Sequence, residues 1–215
     1  MTRVITAVSE NARRAGRFDI VVDGRPVAVL SLDTVERLHL RVGAPFGDEV
    51  ALAVDDASAA QRTYDRALDL LAARARAARE LARTLLRKGA APPHVDAAIA
   101  RLQEMGLLDD AAYARQFART KLAGAGYSRR RLQAELARRG VARAVVDSAL
   151  REVLDDEEVD AAAVIDRVAA KKMRLLSALP AEVRRRRLYA YLARRGYDPD
   201  EIRAAITRLA ERAGR

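Results

Sequence analysis

The chain has 215 residues, with 40 Lys and Arg against 30 Asp and Glu, a net charge of +10 and a pI near 10.5, a balance that favours polyanionic partners, nucleic acid before a membrane surface. It contains no cysteine, which excludes disulfides, thiolate zinc sites and thiol nucleophiles. Glu10 comes too early for the apolar stretch of a signal peptide, and no uncharged apolar run approaches the ~20 residues of a spanning helix, so a soluble cytoplasmic protein without a membrane partner is expected.

Arg3 to Ser9 alternates polar and apolar residues as a strand does. Residues 18–31 are β-branched around Asp23-Gly24, a pair suited to the positive φ angles of a tight hairpin turn. Asp33 is placed to cap a short helix holding Val35 and Leu38. The expectation is a small strand-rich head over residues 1–58, with Asp55-Asp56-Ala57-Ser58 as the transition into helix. Residues 1–60 carry 7 basic and 9 acidic residues, whereas 61–215 carry 33 and 21. Opposite charge and separate turn signals predict a head that the remaining chain can fold without.

Beyond residue 60 the chain is rich in Ala, Leu and Arg, strong helix formers, and it repeats. When Gly89, Gly140 and Gly196 are superposed, Leu81, Leu132 and Leu188 fall eight residues before the glycine, and Leu85, Leu136 and Leu192 four before. Val95, Val146 and Ile202 follow at plus six, Ile99, Leu150 and Ile206 at plus ten, and Leu102, Val153 and Leu209 at plus thirteen. These spacings put each set on one helix face. The glycine suits a helix C-terminus, and the basic pairs before it (Arg87-Lys88, Arg138-Arg139, Arg194-Arg195) suit the negative end of the helix dipole. A further amphipathic segment precedes each hairpin: Tyr64, Leu68 and Leu71, then Tyr113, Phe117 and Leu122, then Val164, Val168 and Leu175. The fold class is therefore mainly α: three tandem three-helix-bundle repeats in an extended array after a small β-hairpin-containing head. The repeats are assigned to residues 59–108, 109–155 and 156–215.

Leu107-Leu108-Asp109-Asp110-Ala111-Ala112-Tyr113-Ala114, Gly126, and Arg131-Leu132-Gln133-Ala134-Glu135-Leu136-Ala137-Arg138-Arg139-Gly140-Val141 resemble the central repeat of the RecX family, modulators of the RecA recombinase. The head is similar too, through Val27-Ala28-Val29-Leu30-Ser31 and the following Leu32 to Gly43, which resembles an N-terminal extension of some members. The resemblance implies tandem three-helix units, no catalytic activity, and binding to the RecA filament and its DNA that inhibits the recombinase, with a place in repair, recombination and the SOS response. Arg129 departs from the pattern, since many members start that helix with proline; Ser128 can still cap it.

No catalytic or metal site is expected. Asp55-Asp56, Asp109-Asp110 and Asp155-Asp156 each precede an expected helix and read as caps, because a hard cation needs oxygen ligands converging from several positions. His39 and His94 are far apart in the chain and read as structural or solvated. There is no phosphate loop, Gly-x-Ser-x-Gly turn or His-Glu-x-x-His helix, and no cofactor is expected. The candidate nucleic-acid and filament-binding residues are Lys121, Arg129, Arg130, Arg131, Arg138 and Arg139 in the second repeat. In the third they are Lys171, Lys172, Arg184, Arg185, Arg186, Arg187, Arg194 and Arg195. Arg115 to Arg143 holds 9 basic residues against the single acid Glu135, and Lys171 to Arg195 holds 9 against Glu182, more than helix solvation requires. With Leu132 and Leu136 inward, most of the triplet Arg129-Arg130-Arg131 is expected to face outward, with no role in the core. Tyr127 is placed either to stack on a base or to pack under the turn. The expected partners are the RecA filament and single- or double-stranded DNA through its phosphates, with the chain a monomer. A stand-alone basic helical DNA-binding protein or transcription regulator, or a scaffold for an acidic partner, is the alternative.

Overall fold

The computed structural model describes residues 3–156 and 160–213. Alternation near the start of the chain gives three antiparallel strands, β1 (Ile5–Glu10), β2 (Arg17–Val22) and β3 (Arg25–Ser31), in that order. Asp23 and Gly24 have φ of 49° and 76°, the primed turn that matches strand twist. Ile5 pairs with Val22, and both are buried with Ile20 and Leu30 on the apolar face of the sheet. Helix α1 (Leu32–Arg37) follows directly. Its cap is Ser31, whose Oγ accepts from Thr34 N. Asp33, expected as the cap, stands instead in the first turn, where its charge favourably meets the helix dipole.

Helix α2 (Asp48–Ala73) begins well before residue 59. Asp48 and Glu49 supply its acidic first turn, and Asp55-Asp56 lie within it instead of capping it. Residue 58 is therefore inside a helix, not at a linker. The N-terminal part of α2 packs on the sheet core through Val50, Ala51 and Val54, while Tyr64 and Ala67 are buried further along. Buried Asp65 ties the two parts together: Arg17 Nη2, at the start of β2, and Arg14 Nη1, from the β1–β2 connection, lie 2.7 and 2.9 Å from its carboxylate, and Gln61 Nε2 donates at 2.8 Å. Burial pushes the Asp65 carboxyl up, but the hydrogen bonds from Arg17 and Gln61, with the charges of Arg17 and Arg14, outweigh it and hold the group below the ordinary aspartate value. The core of the head and the first repeat thus share one helix and one buried carboxylate, contacts that argue against a head the remaining chain can fold without.

The chain divides into two compact units. Residues up to Ala75 with Leu81–Leu107 form one; Arg76–Glu80 with the chain from Leu108 form the other. The first unit holds the sheet, α1, α2, most of α3 (Ala78–Arg87) and α4 (Pro92–Glu104). The second holds α5 (Asp110–Ala123), α6 (Arg129–Arg139) and α7 (Arg143–Arg151) with a π turn over Glu152–Asp156. It continues with α8 (Ala161–Leu175), α9 (Ala181–Ala193) and α10 (Pro199–Ala213). The three-helix repeats are present as expected. Leu81, Leu85, Leu132, Leu136, Leu188 and Leu192 are each at most 1% exposed.

Asp109 caps α5, accepting from Ala111 N at 2.7 Å and Ala112 N at 3.0 Å. Its neighbour Asp110 accepts from Ala78 N at 2.8 Å, at the first turn of α3. Asp155-Asp156 end the π turn, and the cap of α8 is Asp160, accepting from Ala162 N at 2.8 Å; the side chains of Asp155 and Asp156 lie outside the described residues.

Gly89, Gly140 and Gly196 have φ of 85°, 89° and 88°, the left-handed stop read from the sequence. Two of them also allow close packing. A Cβ on Gly140 would lie 2.5 Å from Arg79 Cβ, and one on Gly196 2.7 Å from both Arg131 Cβ and Ser128 Oγ; Gly89 faces open space. Each later repeat thus sets its glycine against the second helix of the repeat before, and the first repeat has no predecessor.

Candidate nucleic-acid and filament-binding surface

Ser128 starts α6, its Oγ accepting from Arg131 N at 3.2 Å. That cap points Leu132 and Leu136 inward and leaves Arg129 and Arg130 exposed. Most of the triplet thus faces outward as expected, but Arg131 is half-buried and does serve the fold. Its guanidinium lies 4.4 Å over the Tyr127 ring, donates to the Arg194 carbonyl and approaches Glu135 at 3.6 Å. Tyr127 is itself half-buried beneath Arg131 and Lys121, 5.9 Å from Lys121 Nζ, in the packing arrangement of the two that the sequence left open.

Tyr113, Phe117 and Lys121 recur every four residues on one face of α5. The Tyr113 and Phe117 rings stack with centroids 6.2 Å apart, and Arg139 covers Phe117 at 4.6 Å. Glu135, the one acid in this basic run, binds Arg138 and, at 2.8 Å, Arg139. The hydrogen bond from Arg139, helped by the charges of the surrounding arginines and opposed by burial, holds the Glu135 carboxyl below its ordinary value. Arg138 and Arg139 are thus partly neutralised within the protein, and Arg139 also donates to the Glu135 carbonyl.

In the third repeat Tyr191 occupies the position that Glu135 has in the second, five residues before the glycine. Arg195 stacks on it at 3.7 Å and Lys172 Nζ lies at 5.0 Å, so cation–π contact replaces the ion pair. Arg195 Nε donates to Ala125 O at 2.7 Å, and Ser128 N donates to Arg195 O at 3.1 Å. Tyr197 Oη donates to Gly126 O at 3.1 Å; burial, the leading cause, pushes its phenol up to about 12. Arg167 Nη2 donates to Leu122 O at 3.1 Å. These bonds join the second and third repeats directly and bring Lys121, Arg131, Lys172, Arg194 and Arg195 to one junction.

Arg184 to Arg187 lie elsewhere. They occupy the N-terminal half of α9, roughly 10–15 Å along the helix from Arg194, with Arg185, Arg186 and Arg187 exposed and Arg185 3.0 Å from Glu182. Lys171 is exposed on α8. The third-repeat basic residues therefore form two groups, not one.

Sequence reasoning missed Arg79, Arg167, Tyr191 and Tyr197 as junction residues. Tyr197 stands where the other repeats have Ala90 and Val141, an oddity that alignment of the repeats could have exposed. His94, read as structural or solvated, lies 2.8 Å from Asp56 and joins α4 to α2. His39, with φ of 53°, lies two residues beyond the end of α1. No described helix is long and apolar enough to cross a membrane.

Tandem three-helix units keyed together by glycines and arginines define a helical-repeat protein. Models of the RecX first, second and third three-helix domains match residues 64–102, 109–150 and 158–206. The regulatory protein RecX of Halorhodospira halophila is 39% identical over 155 residues, covering 72% of this chain and 92% of that protein. The RecX of Geobacillus kaustophilus is 31% identical over 206 residues, covering 94% and 75%. A crystal structure of a regulatory protein RecX superposes with a TM-score of 0.73 at 20% identity, covering 95% of this chain and 99% of that one. That of RecX from Lactobacillus salivarius gives 0.58 at 19% identity over 71% and 97%; these two likenesses speak to the fold alone. The chain belongs to the RecX family of regulatory proteins.

Proposed function

We propose that this chain binds the RecA–DNA filament and restrains RecA recombinase and ATPase activity, in the control of repair and recombination, without catalysing a reaction itself. The repeats of residues 109–155 and 156–215 lie along the filament. Arg129, Arg130, Arg138, Arg139, Lys171, Arg186, Arg187 and Arg194 face DNA phosphates or acidic recombinase surface, Arg138 and Arg139 in part through Glu135, while Arg131 and Arg195 hold the repeats in place. It acts as a cytoplasmic monomer. The main support is the second–third repeat junction, where the contacts of Ser128, Arg131 and Gly196 gather Lys121, Lys172, Arg194 and Arg195 from two consecutive repeats, a local concentration of cations suited to a polyanion.

The test is RecA-dependent ATP hydrolysis on single-stranded DNA, with and without the protein, at increasing DNA. Inhibition that persists when free strand is in excess supports filament binding. Inhibition that extra strand relieves completely points instead to a stand-alone DNA binder competing for DNA, the alternative reading.

A further inference from the structure

The third repeat departs from the other two at one end. Helix α9 begins 15 residues before its glycine, whereas α3 and α6 begin 11 before theirs, so α9 carries an additional turn. That turn projects beside the C-terminal ends of α8 and α10. Leu209 shows the result: its counterparts Leu102 and Val153 are 0% exposed, whereas Leu209 is only partly buried. The bundle opens there into a groove of about 770 Å³, within the ~300–1,000 Å³ range of ligand pockets.

The floor is apolar, made by Met173, Leu188, Ile206 and Leu209. The rim carries Arg174, Arg184, Arg185 and Arg212, of which Arg185 lies 3.0 Å from the exposed Glu182 and Arg212 3.2 Å from the buried Asp166. Arg185 and Ile206 also border an adjoining depression of about 700 Å³ with Tyr189 and Arg203, so the surface suits a segment more than a compact ligand. Arg184 lines the groove with its Nε buried, which leaves its terminal guanidinium nitrogens for a carboxylate at the rim.

We infer that this groove binds an acidic peptide segment that inserts apolar side chains. Nucleic acid would satisfy the arginines but leave the apolar floor unused, since phosphate binding proceeds through charge alone. A lipid surface fits poorly because the apolar residues line a concavity and do not project from it. An amphipathic helix with carboxylates flanking its apolar stripe satisfies both the floor and the rim. The inference goes beyond the regulatory reading and is tested without recombinase or DNA filament, so either can fail alone.

The experiment uses the full chain and a labelled, Glu-rich peptide of about sixteen residues with leucines at i, i+3, i+4 and i+7, followed by fluorescence anisotropy. A second peptide replaces the leucines with alanine at unchanged charge. The leucine peptide should bind at least roughly tenfold more tightly. Arg184→Glu with Arg185→Glu should weaken it at least roughly tenfold at unchanged melting temperature, and Leu209→Glu should abolish binding. Arg129→Gln with Arg130→Gln should retain it, and oligodeoxythymidylate or phosphatidylglycerol vesicles should not displace the peptide. Equal binding of the two peptides, undiminished binding to the folded Arg184/Arg185 variant, or displacement by oligonucleotide or vesicles would each overturn the inference. If Leu209→Glu fails to fold, the Arg184/Arg185 variant decides.

Discussion

A Cβ on Gly196 would lie 2.7 Å from Arg131 Cβ, so the third repeat can settle on the second only because residue 196 has no side chain. The same relationship holds between Gly140 and Arg79 at 2.5 Å, and is absent at Gly89.

Alanine at Gly89 should cost about 1 kcal/mol, the penalty of a left-handed residue. Alanine at Gly140 or Gly196 should cost a further ~1–3 kcal/mol, because the new methyl meets a β-carbon that cannot swing aside without moving its helix. Denaturant melts of the three variants check the ranking; equal losses at all three sites would remove the packing role.

Arg130→Gln should leave stability nearly unchanged and shallow the salt dependence of single-stranded DNA binding, since its side chain is exposed. Arg131→Gln should instead lower stability by ~1–3 kcal/mol, because it leaves the Arg194 carbonyl and the Tyr127 ring without their cation. Melting curves beside salt titrations separate the two roles.

Glu135→Gln should strengthen binding to single-stranded DNA by roughly two- to threefold and steepen its salt slope, by releasing Arg138 and Arg139 from their shared counter-ion. It also predicts a pH effect. Because the Glu135 carboxyl is depressed in the folded state, its stabilisation is complete above the ordinary glutamate value of 4.5 and is lost as pH falls through the lower folded value. The melting temperature of the parent chain should therefore fall more steeply with acidification in that range than that of Glu135→Gln.

A chain beginning at Ala59 should lose cooperative melting of its first repeat, because α2 would be cut within its length and Asp65 would lose Arg14 and Arg17. Beginning instead at Asp48 keeps the helix but not the arginines. Circular dichroism melts should place it between the other two; full stability of the Ala59 chain would show that the head contributes nothing to the repeat.

Much of this was legible because it is local. Leucines at minus eight and minus four, and the glycine stop, repeat their signal three times within one helical hairpin. Ser128 and Asp109 announce their caps within three residues. The start of α2 was not legible, because Asp55-Asp56 imitates a helix start while the actual first turn, after Gly47, carries an equally ordinary Asp48-Glu49. The inward role of Arg131 depends on a carbonyl 63 residues away, and that of Asp65 on arginines 48 and 51 residues away. An outward-facing helical position gives no sign of what another repeat will place against it.

The most direct test of the central claim compares RecA-dependent ATP hydrolysis on saturating single-stranded DNA in the presence of the parent chain and of a variant with Arg129, Arg130, Arg186 and Arg187 all changed to Gln. The account predicts that the parent inhibits at concentrations well below the free strand, and that the variant, melting at the same temperature, needs at least roughly tenfold more protein for the same effect. Equal inhibition by the folded variant would contradict the assigned surface, and no inhibition by the parent chain would contradict the proposed function.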